Sequence, residues 1–511
     1  MLSRAKFEPI VIDEDYPIGP LDECWTTMIA SSADFPIDVY ETALKQLVHH
    51  PEYNSTLILR SEVVREYADQ FPHEIPMIKD TKATQCIHRK LLPRRPGRDA
   101  GLEQYCTFYA SPDHEDSPTD TLVLTPIVPP GGSLPYYHPA VTHLAFRYIA
   151  SHEPPLLQID VIPLPNTPVD LNSRLYRTCL ALLDTVHRYG WGAMSEYTKR
   201  VHHDVMIPRD AYQDLYLQMR ERHKHLIDTW QEVTDPLKHV FEDIGIATFL
   251  MLLWKDTYRD PLVDEPWPRP PGGFVDLGCG NGLLTHILIA EGYDGVGVDL
   301  RARTSWQGYG KATAEKLQVW AFDPLSPSAF DCTYPFKRDA FIIGNHADEL
   351  TPWLPVLATL TGASAYLSIP CCAWGFEKKF QRGAVEAAVF PELEERYPDA
   401  GQMVQELNLG GDTIVSVAKS GGKLNYATLS AYSAYRIWLA SLSLHCGWEV
   451  ECEMLRIPST RNWGLVGRRR IVERATQDAE NPALARVRSI VDDVLQRAVF
   501  RPRKPEGKAG H

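Results

Sequence analysis

The spacing of apolar positions changes along this 511-residue chain, and those changes divide it. Over residues 1–170 short apolar runs alternate with proline breaks, a mixed α/β pattern. Thr121–Val128 and Leu156–Ile162 read as strands, and Pro129-Pro-Gly-Gly132 marks a loop. From Leu171 the period lengthens: Leu175, Thr178, Cys179, Leu182, Leu183 and Val186 recur at helical steps. Asp210–Trp230 is helical too, Asp235-Pro236 marks a helix start, and Val240–Trp254 reads as a nearly all-apolar helix. A proline-rich linker, 264–273, then delivers the chain into a series of short apolar runs. These are Phe274–Leu277, Gly295–Asp299, Gln318–Phe322, Ala340–Ile343, Ala365–Ile369 and Glu449–Leu455. Strands alternating with helices predict a parallel sheet wound on both faces, with a ligand crevice at the strands' C-terminal ends. Residues 376–425 are too long for a simple connection and predict an insertion over that edge. Leu484, Val487, Val491, Val494, Leu495 and Ala498 predict a last amphipathic helix before a basic tail. The expected divisions are 1–170, with possible RNA contact, a helical connecting segment 171–263, an α/β domain 264–470, and 471–511.

One junction in this series carries specific chemistry. Phe274-Val-Asp-Leu-Gly-Cys-Gly-Asn-Gly282 is a buried strand entering a glycine turn, and a helix-compatible segment follows. Gly278, Gly280 and Gly282 let a ligand approach the backbone, and Asp299 ends the next strand, where a carboxylate receives ribose hydroxyls. A dinucleotide site spells G-x-G-x-x-G; here Asp276 precedes the first glycine. A carboxylate repels a diphosphate but suits the ammonium of S-adenosylmethionine. The spelling resembles the first motif of Rossmann-like class I S-adenosylmethionine-dependent methyltransferases. Asp276, Gly278, Gly280, Gly282 and Asp299 are therefore expected to bind the cofactor.

Composition adds bounds. Apolar residues at 44% and charged residues at 23% are ordinary for a soluble globular protein. No run reaches a membrane span and the N-terminus lacks a signal-peptide core, so a cytoplasmic protein is expected. Ten cysteines without a C-x-x-C pair suggest reduced thiols rather than zinc or disulfides, and adjacent His202 and His203 make a poor metal pair. The net charge of −14 argues against nucleic-acid binding by the whole surface but permits a local basic face. Candidates are His88–Arg98, Arg468–Arg470 and Arg501–Lys504.

Groups at later strand ends bear on the reaction. Asp323 is expected to end the third strand and recognise the adenine amino group. After the fourth strand, Gly344-Asn-His-Ala-Asp-Glu-Leu350 lacks the Asn/Asp-Pro-Pro-aromatic motif of amine methylation. It offers Asn345, His346, Asp348 and Glu349 instead, suited to a substrate that must lose a proton. Ser368-Ile-Pro-Cys-Cys-Ala-Trp374 keeps open a pyrimidine C5 methyltransferase with Cys371 or Cys372 as nucleophile.

Several phrases together resemble one family. They are Ile58-Leu-Arg-Ser-Glu62, Val201-His-His-Asp204, Thr234-Asp-Pro-Leu-Lys-His-Val-Phe-Glu-Asp-Ile244, Leu253-Trp-Lys-Asp256, Val275–Leu283, Gly344–Leu350, Ser368–Cys372 and Arg456-Ile-Pro-Ser-Thr-Arg-Asn462. They are similar to fungal tRNA (uracil-2′-O)-methyltransferases acting on uridine 44 of serine tRNA. The resemblance implies a cytoplasmic enzyme with S-adenosylmethionine as cofactor and serine tRNA as substrate. Asn345 is placed with the cofactor-binding residues. Many ribose methyltransferases use a Lys-Asp-Lys-Glu tetrad, and by order Lys255, Asp348, Lys378 or Lys379, and Glu453 fill those places. Catalytic candidates are thus Asp348, Lys255, His346 and Glu349. RNA-contact candidates are Arg94, Arg95, Arg98 and Arg461, with Arg468–Arg470 secondary. A non-catalytic RNA-binding subunit with a vestigial cofactor fold remains the other alternative.

Overall fold

Long runs of strand-forming residues in the first half of the chain pair with their sequence neighbours, so most of one sheet is built from hairpins. The computed structural model describes residues 6–12, 16–112, 117–195, 202–263, 265–323, 335–376, 378–380, 430–471 and 481–497. The chain forms two units, 1–199 and 200–511.

In the N-terminal unit the strands are β1 (Pro9–Ile10), β2 (Thr26–Ser32), β3 (Ile58–Tyr67), β4 (Lys82–Pro93), β5 (Leu102–Ala110), β6 (Thr119–Ile127), β7 (Val141–Ile149) and β8 (Leu156–Pro163). They form one antiparallel sheet in the order β1-β2-β8-β7-β6-β5-β4-β3. Helices α1 (Ile37–His49) and α2 (Arg174–Met194) share a core with one face of it. Tyr40, Leu44, Leu47, Cys179, Leu183 and Val186 cluster with Phe108, Phe146 and Ile159, all buried. The Ser173 hydroxyl caps α2 by accepting from the Tyr176 N–H. The connecting segment expected over 171–263 is therefore not one body. Its first helix belongs to this sheet, because the stripe from Leu175 to Val186 is the face that α2 buries on it.

The C-terminal unit holds the later helices of that segment, α3 (Arg209–His223) and α4 (Pro236–Thr257). Its strands are β9 (Phe274–Leu277), β10 (Gly295–Asp299), β11 (Leu317–Val319), β12 (Phe341–Asn345), β13 (Ala365–Ile369), β14 (Trp448–Met454) and β15 (Trp463–Arg470), with helices α5 (Leu283–Ala290), α6 (Lys311–Ala314), α7 (Trp353–Leu360), α8 (Ala431–His445) and α9 (Pro482–Arg497). The sheet order is β11-β10-β9-β12-β13-β15-β14. The first five strands are parallel, and β15 runs antiparallel to both neighbours. One core contains α3, α4 and α5, and the other α7, α8 and α9, so both faces are covered. Helix α9 buries Val487, Ile490, Val491 and Val494 in this unit and is not a separate C-terminal element. Sequence periodicity missed β15, whose Arg468–Arg470 end disguises a buried strand. The insertion expected over 376–425 lies almost wholly outside the described residues, as does the basic run Arg501–Lys504.

Candidate functional site

Strand β9 ends in a turn only glycine tolerates well: Gly278, Gly280 and Gly282 have φ of +78°, +56° and +76°. The N–H groups of Gly278 and Cys279 both donate to the Val298 carbonyl at 2.9 and 3.0 Å, tying the turn to β10. A Cβ on Gly280 would meet nothing within 4 Å, so the turn faces open space there. Asp299 accepts from the Gly280 N–H at 2.9 Å, and the Trp306 indole donates to the Gly280 carbonyl at 2.9 Å. Asp276 is buried and accepts from the Thr285 hydroxyl at 2.7 Å.

The end of β12 faces the same turn, since a Cβ on Gly278 would lie 3.7 Å from Ala347. Two acids from α4 complete the group. The Asn345 amide donates to Asp243 at 3.5 Å, and His346 Nε2 lies 3.2 Å from Glu242. His346 has φ +53°, a conformation rare for a residue with a side chain, and its Nδ1 is buried without a partner. Asn345 Oδ1 and Ser368 Oγ are likewise buried and unpartnered. Neither Glu242 nor Asp243 stood among the sequence candidates. Their signal was available: two adjacent carboxylates interrupt an otherwise apolar helix.

Among the described residues no lysine or arginine forms an ion pair with Asp243 or Asp276. Burial raises the Asp276 carboxyl to about 7, with Asp299 adding to the effect. Burial, Glu242 and Asp276 hold Asp243 well above the usual carboxylate range. Beside them Asp348, at φ +46°, accepts a 3.4 Å hydrogen bond from the Cys371 thiol. Burial and the Asp348 charge push that thiol far up, and burial also raises Cys372. A thiolate nucleophile at neutral pH, which the C5 alternative requires, is disfavoured. Glu349 follows in the short turn Asp348–Leu350. Asp323 lies past the end of β11, which stops at Val319 rather than continuing to Phe322. It is thus not at a strand end.

Lys255 does not join this group. It is exposed near the far end of α4, roughly three and a half turns and about 20 Å from Glu242 along the helix. Its ammonium lies over the Trp267 ring at 4.8 Å. The adjacent Trp254 packs on Phe274 and Phe341, the first residues of β9 and β12, so this is the opposite edge of the sheet. Helical periodicity put a lysine on an apolar helix but could not say which end meets the glycine turn. The tetrad is also incomplete elsewhere: Glu453 is buried and accepts the N–H groups of Asp204, Met206 and Ile207. Lys378 and Lys379 are exposed, the latter 6.0 Å from the Trp374 ring.

The basic segments separate as well. Arg94, Arg95 and Arg98 are exposed in the β4–β5 loop, whereas Arg89 is buried and donates to Gln104 at 2.7 and 3.1 Å. Arg468 pairs with Glu451 and Asp256, Arg469 with Glu449 and Glu451, and Arg470 covers the Trp448 ring. These contacts engage all three side chains within the fold. Arg461 is exposed, just before β15.

Comparison with known proteins places this chain in a family. Residues 6–200 match the family model described as a TRM44-like, N-terminal bet v1-like domain, and residues 206–324 match a predicted AdoMet-dependent methyltransferase. A protein of Schizosaccharomyces pombe named tRNA (uracil-O(2)-)-methyltransferase is 33% identical over 480 residues, covering 87% of this chain and 85% of that protein. The chain belongs to the tRNA (uracil-O(2)-)-methyltransferase family. Proteins of the same name from Neurospora crassa (32%; 88% of each chain) and Saccharomyces cerevisiae (29%; 93% of this chain, 90% of that one) agree. No solved structure matches.

The cofactor of this methyltransferase domain is S-adenosylmethionine. The residues present fit it. Buried acids with raised pKa values, unpaired with any described lysine or arginine, suit a ligand carrying ammonium and sulfonium charges. The open space over Gly280 admits its backbone-hugging end, and Asp299 retains acceptor capacity for ribose hydroxyls.

Proposed function

We propose that this protein methylates the ribose 2′-hydroxyl of a uridine in tRNA, uridine 44 of serine tRNA, from a Rossmann-like class I methyltransferase domain. The observation that carries the reading is the His346–Glu242 pair beside the acid-lined glycine turn. Asp276, Gly278, Gly280, Gly282 and Asp299 would hold the cofactor, with Asp243 and Asn345 adjoining, and Asp323 remains the candidate for the adenine. When bound, the cofactor supplies an electrophilic methyl group.

A ribose hydroxyl is a weak nucleophile at neutral pH, so the chain must provide a base. With Nε2–H donating to Glu242, the His346 lone pair falls on Nδ1, the buried atom left without a partner, which a ring movement must bring to the hydroxyl. Glu242 fixes the tautomer and stabilises the imidazolium once Nδ1 takes the hydroxyl proton. Asp348 and Glu349 lie next in the loop as orienting groups. Free thiols at every described cysteine suit a cytoplasmic compartment, and no described helix is long and apolar enough to cross a membrane.

Incubating purified protein with tRNA transcripts and isotopically labelled cofactor, then mapping the product by mass spectrometry, tests the reading. The label is expected on the ribose of uridine 44 of serine tRNA. A methyl on the base, or none on any tRNA, overturns it. The same reading gives Arg94, Arg95 and Arg98 to the RNA backbone. Replacing all three with alanine should weaken tRNA binding and flatten its salt dependence by about one unit of slope for each phosphate no longer neutralised. An unchanged slope makes the loop a solvated surface.

A further inference from the structure

Beside the end of β13 a ladder of rings and guanidinium groups crosses the C-terminal unit. His202 stacks on Trp463 (centroids 6.0 Å, 17°), and the Arg436 guanidinium lies 3.9 Å from the Trp463 ring. Tyr432 follows at 5.1 Å from Arg436, and the Arg461 guanidinium covers Tyr432 at 4.0 Å. The Tyr432 hydroxyl donates to the Pro370 carbonyl at 2.9 Å. That bond, one residue before Cys371, anchors the ladder to the edge where β12 and β13 end. Arg461 and Trp463 reach the same edge, because β15 runs antiparallel to β13 and starts there.

Arg436 is the anomaly. It is 4% exposed, its Nε and Nη1 are buried without a hydrogen-bond partner, and among the described residues Nη2 reaches only the Ser433 hydroxyl at 3.4 Å. Among the described residues neither Arg436 nor Arg461 pairs with a carboxylate. Burial, reinforced by the Arg461 charge, lowers Arg436 to about 10. Two like charges on one ring, one of them desolvated, oppose folding unless an anion joins them. Stacking also restricts the Arg461 side chain, leaving its N–H edge for a planar-fork contact with phosphate.

We propose that Arg461, held by Tyr432 and backed by the buried Arg436 charge, binds a phosphodiester of the RNA strand beside the nucleotide being methylated. The inference rests on the RNA-methyltransferase reading, so the wild-type protein is first shown to methylate the tRNA transcript; no methylation there fails the reading itself. With activity established, tRNA binding is measured against salt concentration for the full-length variants. Arg461→Ala, at an exposed site, should lower the slope of log affinity against log salt by about 0.7–0.9, the equivalent of one phosphate. Arg436→Met keeps the packing volume and removes the buried charge. It should weaken tRNA binding by about tenfold while raising Tm, and leave cofactor affinity unchanged. An unchanged slope for Arg461→Ala overturns the proposal. So does an Arg436→Met protein with lower Tm and wild-type tRNA affinity, which would make Arg436 a purely structural rung.

Discussion

Replacing His346 by alanine should cut single-turnover methyl transfer by about 100-fold or more, the lower range for losing a general base. Cofactor affinity measured by calorimetry should stay within about twofold, since the groups proposed to hold the cofactor, on β9, the glycine turn and β10 with Asp323 for the adenine, do not include the imidazole. Glu242→Gln keeps a hydrogen-bond acceptor for Nε2 but removes the charge that stabilises the imidazolium, so a smaller loss of about tenfold is expected. The two substitutions should not be additive. Once His346 is absent, changing Glu242 should slow the reaction little further, because Glu242 acts only through the imidazole. A folded His346→Ala protein that methylates tRNA near the wild-type rate removes His346 from the base role and leaves Asp348 and Glu349 to be tested.

The second large effect concerns cofactor binding. Asp299→Ala should weaken S-adenosylmethionine binding by roughly 1.5–3 kcal/mol, about 10- to 150-fold, the range for a hydrogen bond to a charged acceptor. Asp299 also accepts from the Gly280 N–H, so Asp299→Asn separates the contributions by keeping an acceptor for the turn without the charge. Unchanged affinity in both variants excludes the placement. Asp276 adds a pH dependence. Its folded value of about 7 lies above the ordinary carboxylate value, so between about pH 4 and 7 the folded cofactor-free protein binds more protons than the unfolded chain. Stability of the cofactor-free protein should therefore fall as pH rises through that window. A cationic ligand favours the ionised carboxylate, so its affinity should rise over the same window with a proton released on binding. Calorimetry in buffers of different ionisation enthalpy measures that proton, and no release at pH 6 counts against Asp276 as a partner of the cofactor's charge.

How much of this was legible in the chain depends on how far apart the cooperating residues lie. The glycine turn was readable because its chemistry is local: Asp276, the three glycines and Asp299 span one strand-turn-helix-strand unit, and positive φ at alternate positions admits almost no other residue. The stripe from Leu175 to Val186 announced a helix for the same reason. What that stripe packs against is a tertiary matter, and the fold gave α2 to the N-terminal sheet. Lys255 shows the limit most plainly. Its residue type and its place before β9 suggested a catalytic lysine, yet α4 sets Glu242 and Asp243, not Lys255, beside Asn345 and His346. A helix pattern repeats every 3.6 residues and carries no information about which end meets the active edge. The basic runs divide likewise: Arg89 and Arg468–Arg470 are engaged by partners distant in sequence, while Arg94, Arg95 and Arg98 stay exposed. The sequence by itself determined the glycine turn, the alternation of elements and the family. Only the tertiary structure decided which charges are buried together without neutralising partners, because burial and neighbouring charge are set by strands and helices up to hundreds of residues apart.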